Sequence, residues 1–163
     1  MSRSHATASA DLAFRLVEPG HPIVPLVGRL QYSCDDPYAI RMAFHVGTDA
    51  PVEWFVAREL LAAGLKTREG KGDVRAWPSS GVSADPGAAH GPAAHPAAGY
   101  RPDDPVTGYE VLNLEIQSPL GHAHFEASAA AVEDFLGRSY KMVPAGEESS
   151  FIDLDAELAD LLS

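Results

Sequence analysis

The chain has 163 residues and sets 12 Lys+Arg against 23 Asp+Glu, a formal charge of −11. That length suits a single domain, and an apolar share of 45% excludes a wholly disordered chain. No run approaches the roughly 18 apolar residues of a membrane span, and the excess of acid argues against sequence-independent binding to phosphate backbones.

Residues 1–10 hold one Arg and no apolar run, so they read as a disordered N-terminus and not as a secretory leader. A lone Cys34 has no internal partner, which fits a reducing cytosol. The expectation is a soluble cytoplasmic protein with one domain over 11–163. Period-2 alternation then dominates. Leu12, Phe14 and Leu16 share a face; Val24, Leu26, Leu30 and Tyr32 follow in a second strand. Cys34-Asp-Asp-Pro37 is a turn, because Pro fixes φ and Asp bonds nearby backbone. Ile40, Met42, Phe44 and Val46 make a third strand face, and Val52, Trp54 and Val56 a fourth, so the N-terminal part reads as an antiparallel meander.

Ala57 to Ala63 carries good helix formers, and Gly64 stands where a left-handed cap belongs. Asp73–Pro78 is a further strand. The run holding Lys66, Arg68, Lys71 and Arg75 is interleaved with Glu69 and Asp73, the pattern of a solvated turn. From Ser79 to Gly108, Ala, Gly and Pro supply 17 of 30 residues and large aliphatics nearly vanish. Such a segment buries too little apolar surface to offset its ordering entropy, so 79–108 reads as a flexible insertion within the domain. Leu112, Leu114 and Ile116 form a half-buried strand, Ser118–Gly121 a hairpin turn, and His122–Ala127 the return strand.

Ser128 can cap a helix through Val132, Phe135, Leu136 and Tyr140, which Val143-Pro-Ala-Gly146 ends. Asp153 then caps a last helix whose Leu154, Leu158, Leu161 and Leu162 form a stripe expected to pack within the chain. Residues 142–163 contain six acids and no Lys or Arg, so this tail holds −6 of the total charge. The sum is an α+β domain: an antiparallel sheet of about seven strands, one short helix and two C-terminal helices.

A search for chemistry returns little. His122, His124 and Glu126 alternate on one strand face, which makes His122 and His124 weak metal-ligand candidates, and a polar solvated face is the reading preferred for them. Cys34 precedes Asp35 and Asp36, which raise a thiol's pKa and blunt it as a nucleophile. Neither a nucleophile elbow nor a phosphate loop is present, and the acid pairs sit in turn sequence. No catalytic residue and no cofactor is expected. Apolar contact surface remains. Trp54 and Phe55 are adjacent on a strand and must face opposite sides, and Trp77 alternates with Arg75, not with a core residue. Either both sheet faces are covered within the monomer, or these aromatics mark an interface.

Asp36-Pro-Tyr-Ala-Ile-Arg-Met-Ala-Phe-His45, Val52-Glu-Trp-Phe-Val-Ala-Arg-Glu-Leu-Leu-Ala-Ala-Gly-Leu65 and Gly72-Asp-Val-Arg-Ala-Trp-Pro78 resemble successive blocks of one family, the SsgA-like sporulation and cell-division proteins of filamentous actinobacteria. Ser118–Gly121, Phe125-Glu-Ala127, Val132–Leu136, Val143–Glu147 and Asp153–Leu158 extend the likeness in order over most of 11–163. The resemblance implies a non-enzymatic, Whirly-like domain that assembles as a homotrimer. It implies partners among division or septal-wall proteins, the tubulin-like division GTPase or a paralogue among them, and concentration at division septa. Trp54, Phe55 and Trp77 are then the candidate contacts. A Whirly-like fold also suggests single-stranded nucleic acid, held by Lys66, Arg68, Lys71 and Arg75, and the net charge of −11 opposes that alternative. The insertion at 79–108 departs from the family pattern, being longer than the turn expected between its flanking strands.

Overall fold

The computed structural model describes residues 6–45, 50–80, 110–119, 121–152, 158–159 and 161–162. Seven strands appear: β1 (Thr7–Leu16), β2 (Val24–Ser33), β3 (Asp36–Phe44), β4 (Val52–Ala57), β5 (Val74–Ser80), β6 (Glu110–Ser118) and β7 (Gly121–Ser128). Two helices accompany them, α1 (Arg58–Gly64) and α2 (Ala129–Met142), with a 3-10 turn at Glu148–Phe151. The strands form one antiparallel sheet in the order β4-β3-β2-β1-β7-β6-β5, curled into a half-barrel. Two meanders, β1–β4 and β5–β7, meet where Phe14–Leu16 pair with Phe125–Ala127.

Alternation decides which face is buried. Leu30, Ile40, Phe44, Leu114 and Phe125 point inward, and α2 closes the core from inside with Val132, Phe135 and Leu136. Three Phe rings join the meanders: Phe44 stacks on Phe125 with centroids 4.3 Å apart, and Phe14 meets Phe44 edge-on at 5.2 Å. Gly28 opposite them leaves the room, since a Cβ there would lie 2.5 Å from Phe14 Cε2. α1 leaves edge strand β4 and packs on the opposite edge strand β5, bridging the open side of the half-barrel. The middle of β5's free edge is occupied too: Glu69 and Ala76 exchange backbone hydrogen bonds of 2.8 and 3.0 Å. Ser128 caps α2, its Oγ accepting from the Ala131 N–H at 3.3 Å.

Several expectations change. Thr7–Ala10, placed in the disordered N-terminus, belong to β1 and pair with Leu30–Ser33. Ser79 and Ser80, placed in the insertion, pair with Val111 and Glu110 as the end of β5; residues 81–108 lie outside the described residues. Gly64 is the last residue of α1, not a left-handed cap. Its missing side chain is required by packing, because a Cβ would lie 2.5 Å from Ala76 Cβ. The C-terminal leucines do not pack as expected. Leu158, Leu161 and Leu162 are 54%, 82% and 87% exposed, while Asp153 and Leu154 lie outside the described residues.

Candidate functional site

The face of the sheet turned away from α2 is laced with cross-strand ion pairs. Arg29 Nε donates to Asp11 Oδ1 at 2.7 Å, Arg75 to Glu115 Oε1 at 3.2 Å, and Arg15 pairs with Glu126. Arg41 pairs with Glu53 and also donates to Gln31 Oε1 at 2.6 Å. Three of these pairs are direct register neighbours, Asp11 with Arg29, Arg15 with Glu126 and Arg75 with Glu115, so the strand alignment itself brings the charges together. The Arg29 guanidinium holds the Asp11 carboxyl below its ordinary value.

Phe55 interrupts this polar lattice. It sits on edge strand β4 opposite Arg41 and is 64% exposed. Beside it runs a shallow groove of about 290 Å³, lined by Thr7, Ser9, Gln31, Asp36, Ala39 and Arg41 among others. Trp54, one residue earlier, faces the other way and packs against the core. The opposite orientation expected of this pair is therefore present, and the outward ring is Phe55.

Trp77 occupies the far side of the same face. It is half-buried, with Arg68 stacked over its ring at 4.3 Å and His124 beside it at 5.3 Å. Asn113, almost wholly buried, fixes this corner: its Nδ2 donates to Ser79 Oγ at 2.7 Å and to the Trp77 carbonyl at 3.3 Å. Its Oδ1 lies 2.9 Å from His124 Nε2, so that nitrogen is the one that carries the proton. Burial pushes His124 below its ordinary pKa. His124 is thus a half-buried packing residue and not part of a wholly solvated face. His122, next on that face, lies 3.5 Å from Glu115. Among the described residues no three His, Cys, Asp or Glu converge as a metal site.

The four basic candidates divide. Arg75 is neutralised by Glu115, whereas Lys66, Arg68 and Lys71 are exposed on the α1–β5 connection and make no ion pair among the described residues. Cys34 is buried, and that burial, reinforced by Asp35, raises its thiol pKa and disfavours the thiolate.

The sequence reading missed one residue entirely. Arg58, at the start of α1, is 1% exposed. Its Nη1 donates to the Ser139 and Val143 carbonyls at 3.2 and 2.9 Å, its Nη2 to Glu148 Oε1 at 2.6 Å. Tyr140 and Tyr32 flank the guanidinium with ring centroids 4.1 and 4.9 Å away. The arrangement ties α1, the C-terminus of α2 and the turn beyond it into one unit. Burial pushes the Tyr32 hydroxyl up to about 12, and that hydroxyl donates to the Pro37 carbonyl at 3.1 Å. Arg58, Glu148 and Tyr32 thus all have structural partners.

No helix among the described residues is long and apolar enough to cross a membrane. The family model described as Streptomyces sporulation and cell division protein, SsgA, matches residues 26–89 and 87–148. The chain is 44% identical over 164 residues to the sporulation-specific cell division protein SsgB of Thermobifida fusca, covering 100% of both chains. It is 37% identical to the SsgB of Streptomyces coelicolor over 98% of each. The solved SsgA-like sporulation-specific cell division protein of Thermobifida fusca superposes with a TM-score of 0.74 at 42% identity over 98% of each chain. An SsgB structure associated with mutations that correlate with longitudinal cell division during sporulation of Streptomyces coelicolor gives 0.72 at 36% identity, over 93% of this chain and 99% of that one. The family is one of sporulation and division proteins and not of enzymes. This chain belongs to the SsgA family of sporulation and cell-division proteins.

Proposed function

We propose that the chain is a non-enzymatic adaptor of sporulation-specific cell division, concentrated at septa, that helps position the septum by binding a division or septal-wall protein. The tubulin-like division GTPase is the first candidate partner, and a homotrimer is the proposed working form. The observation that carries the reading is Phe55: a large apolar ring, 64% exposed, on a sheet face rich in paired charges and beside a groove. An exposed aromatic among paired charges is the composition of an interface anchor. Its cost in a free monomer is explained if a partner covers it. The division role rests on kinship with sporulation-specific division proteins.

The nucleic-acid reading has weaker support. Arg15, Arg29, Arg41 and Arg75 already have acidic partners on the sheet face, and the whole chain repels phosphate at −11. Lys66, Arg68 and Lys71 remain without an ion pair among the described residues.

A fluorescent fusion restored to a sporulating host that lacks its own copy tests the proposal. The wild-type fusion should mark septa and restore their regular spacing, and Phe55→Ala at equal abundance should be diffuse. Normal septal placement of Phe55→Ala would remove Phe55 as the contact.

A further inference from the structure

The groove beside Phe55 follows from side-chain size and from one irregularity in the strand pairing. Register lines up Phe55, Arg41, Gln31 and Ser9 across β4, β3, β2 and β1. The first three are long and make a ridge. The neighbouring positions are short: Ala39, paired with Ala57, and Ser33, paired with Thr7. Between Gln31 and Ser33 the register of β2 with β3 shifts, an irregularity that bends the strand locally. The groove lies over this low ground, and it is open at the Phe55 end because β4 is the last strand of the sheet.

Charge selects the occupant. Arg41 is already satisfied, since its guanidinium pairs with Glu53 and donates to Gln31 Oε1 at 2.6 Å. Asp36, at the start of β3, lines the groove, is exposed and makes no ion pair among the described residues. The lining thus holds an aromatic ring at one end and an uncompensated carboxylate at the other. An acidic ligand would be repelled there, and a wholly apolar one would bury Asp36 without a partner. Phe55 stands beside Arg41, and the five positions of β3 from Asp36 to Arg41 span about 16 Å. Thr7, Ser9 and Gln31 on the wall offer side-chain hydrogen-bonding groups to a peptide backbone.

We infer that the groove takes an extended segment of the partner protein whose large apolar residue packs on Phe55 and whose Lys or Arg, about five residues along, reaches Asp36. The inference rests on the proposal that Phe55 is the partner contact. It adds a second anchor, the sign of the charge that meets it and the spacing between the two.

Selection of random dodecapeptides on the full chain tests it, with circular dichroism confirming that each variant folds. Peptides enriched on the wild type should carry a Lys or Arg about five positions from a large apolar residue. In fluorescence anisotropy they should bind Phe55→Ala and Asp36→Asn at least about tenfold more weakly. Asp36→Lys should reject them and accept the same peptides with the basic residue replaced by glutamate, an exchange that a damaged groove would not produce. Enriched peptides that lack a basic residue, or that bind Asp36→Lys as well as the wild type, would overturn the inference. Weakening by Phe55→Ala alone would then keep Phe55 as the contact, whereas peptides indifferent to both positions would remove both. No enrichment would overturn the inference too, and a wild-type mass in sedimentation that Phe55→Ala lowers would assign the groove to a second copy.

Discussion

Arg58 brings together residues 81 to 90 positions away in sequence: Ser139, Val143 and Glu148. A buried guanidinium is stable only when its donors are satisfied, and here two carbonyls at the end of α2 and one carboxylate do so. Arg58→Met should lower unfolding free energy by about 3 kcal/mol or more in denaturant titration, because it leaves Glu148 and the carbonyls without their partner. A loss below about 1 kcal/mol would contradict that role. Hydrogen bonds from its own backbone N–H and then from Arg58 hold the Glu148 carboxyl below its ordinary value of 4.5. The folded state therefore favours the carboxylate, and this contribution is present above pH 4.5 and lost as pH falls through the lower folded value. His124 acts in a higher window. Burial depresses its pKa below 6.5, so the unfolded chain binds the proton first and stability falls as the pH drops below 6.5. His124→Gln should flatten the stability slope between about pH 7 and 5.5 in thermal melts; an unchanged slope would show that another group controls it. Arg58 was not legible in the sequence, because an Arg one residue into an amphipathic helix reads as solvent-facing. Its burial depends on carbonyls and a carboxylate supplied by a distant turn.

At the scale of elements, the contact between α1 and β5 sets how far the half-barrel closes. Gly64 and Ala76 touch so closely that one methyl is too many. Gly64→Ala should destabilise by about 1–3 kcal/mol through overpacking. Adding Ala76→Gly should restore part of the loss, a coupling of at least about 0.5 kcal/mol in a double-mutant cycle. Strict additivity would contradict the close approach. Ser128→Ala should cost about 1 kcal/mol, the usual value of a lost N-cap. The strands were legible because one face of each meets the core and the other meets water or paired charges, so alternation survives in the sequence. The partner of Gly64 was not: a glycine after Ala-Ala fits a left-handed cap as well as a close packing, and only Ala76, from another strand, distinguishes them. The leucine stripe shows the same limit. Periodicity at Leu158, Leu161 and Leu162 reports an amphipathic segment but does not specify what covers it, and the described residues leave it exposed.

Across the whole molecule, the two sheet faces divide the work. The inner face builds the core with α2, and the outer face carries ion pairs whose positive and negative members cancel locally. Outside these pairs, Lys66, Arg68 and Lys71 make no ion pair among the described residues, while Glu148 of the acidic tail is paired with Arg58. Phe55 is one of the large apolar side chains left exposed. Its exposure was half legible: adjacent aromatics on a strand must face opposite ways, but which of the two turns outward depends on the register of Met42 with Trp54. The central claim is that this chain works in division by holding a partner at Phe55. The most direct measurement is co-pelleting of the purified chain with GTP-assembled filaments of its host's division GTPase, wild type beside Phe55→Ala. The account predicts saturable pelleting of the wild type and at least about tenfold weaker pelleting of a fully folded Phe55→Ala. Equal pelleting of the two, or none by the wild type, would contradict it.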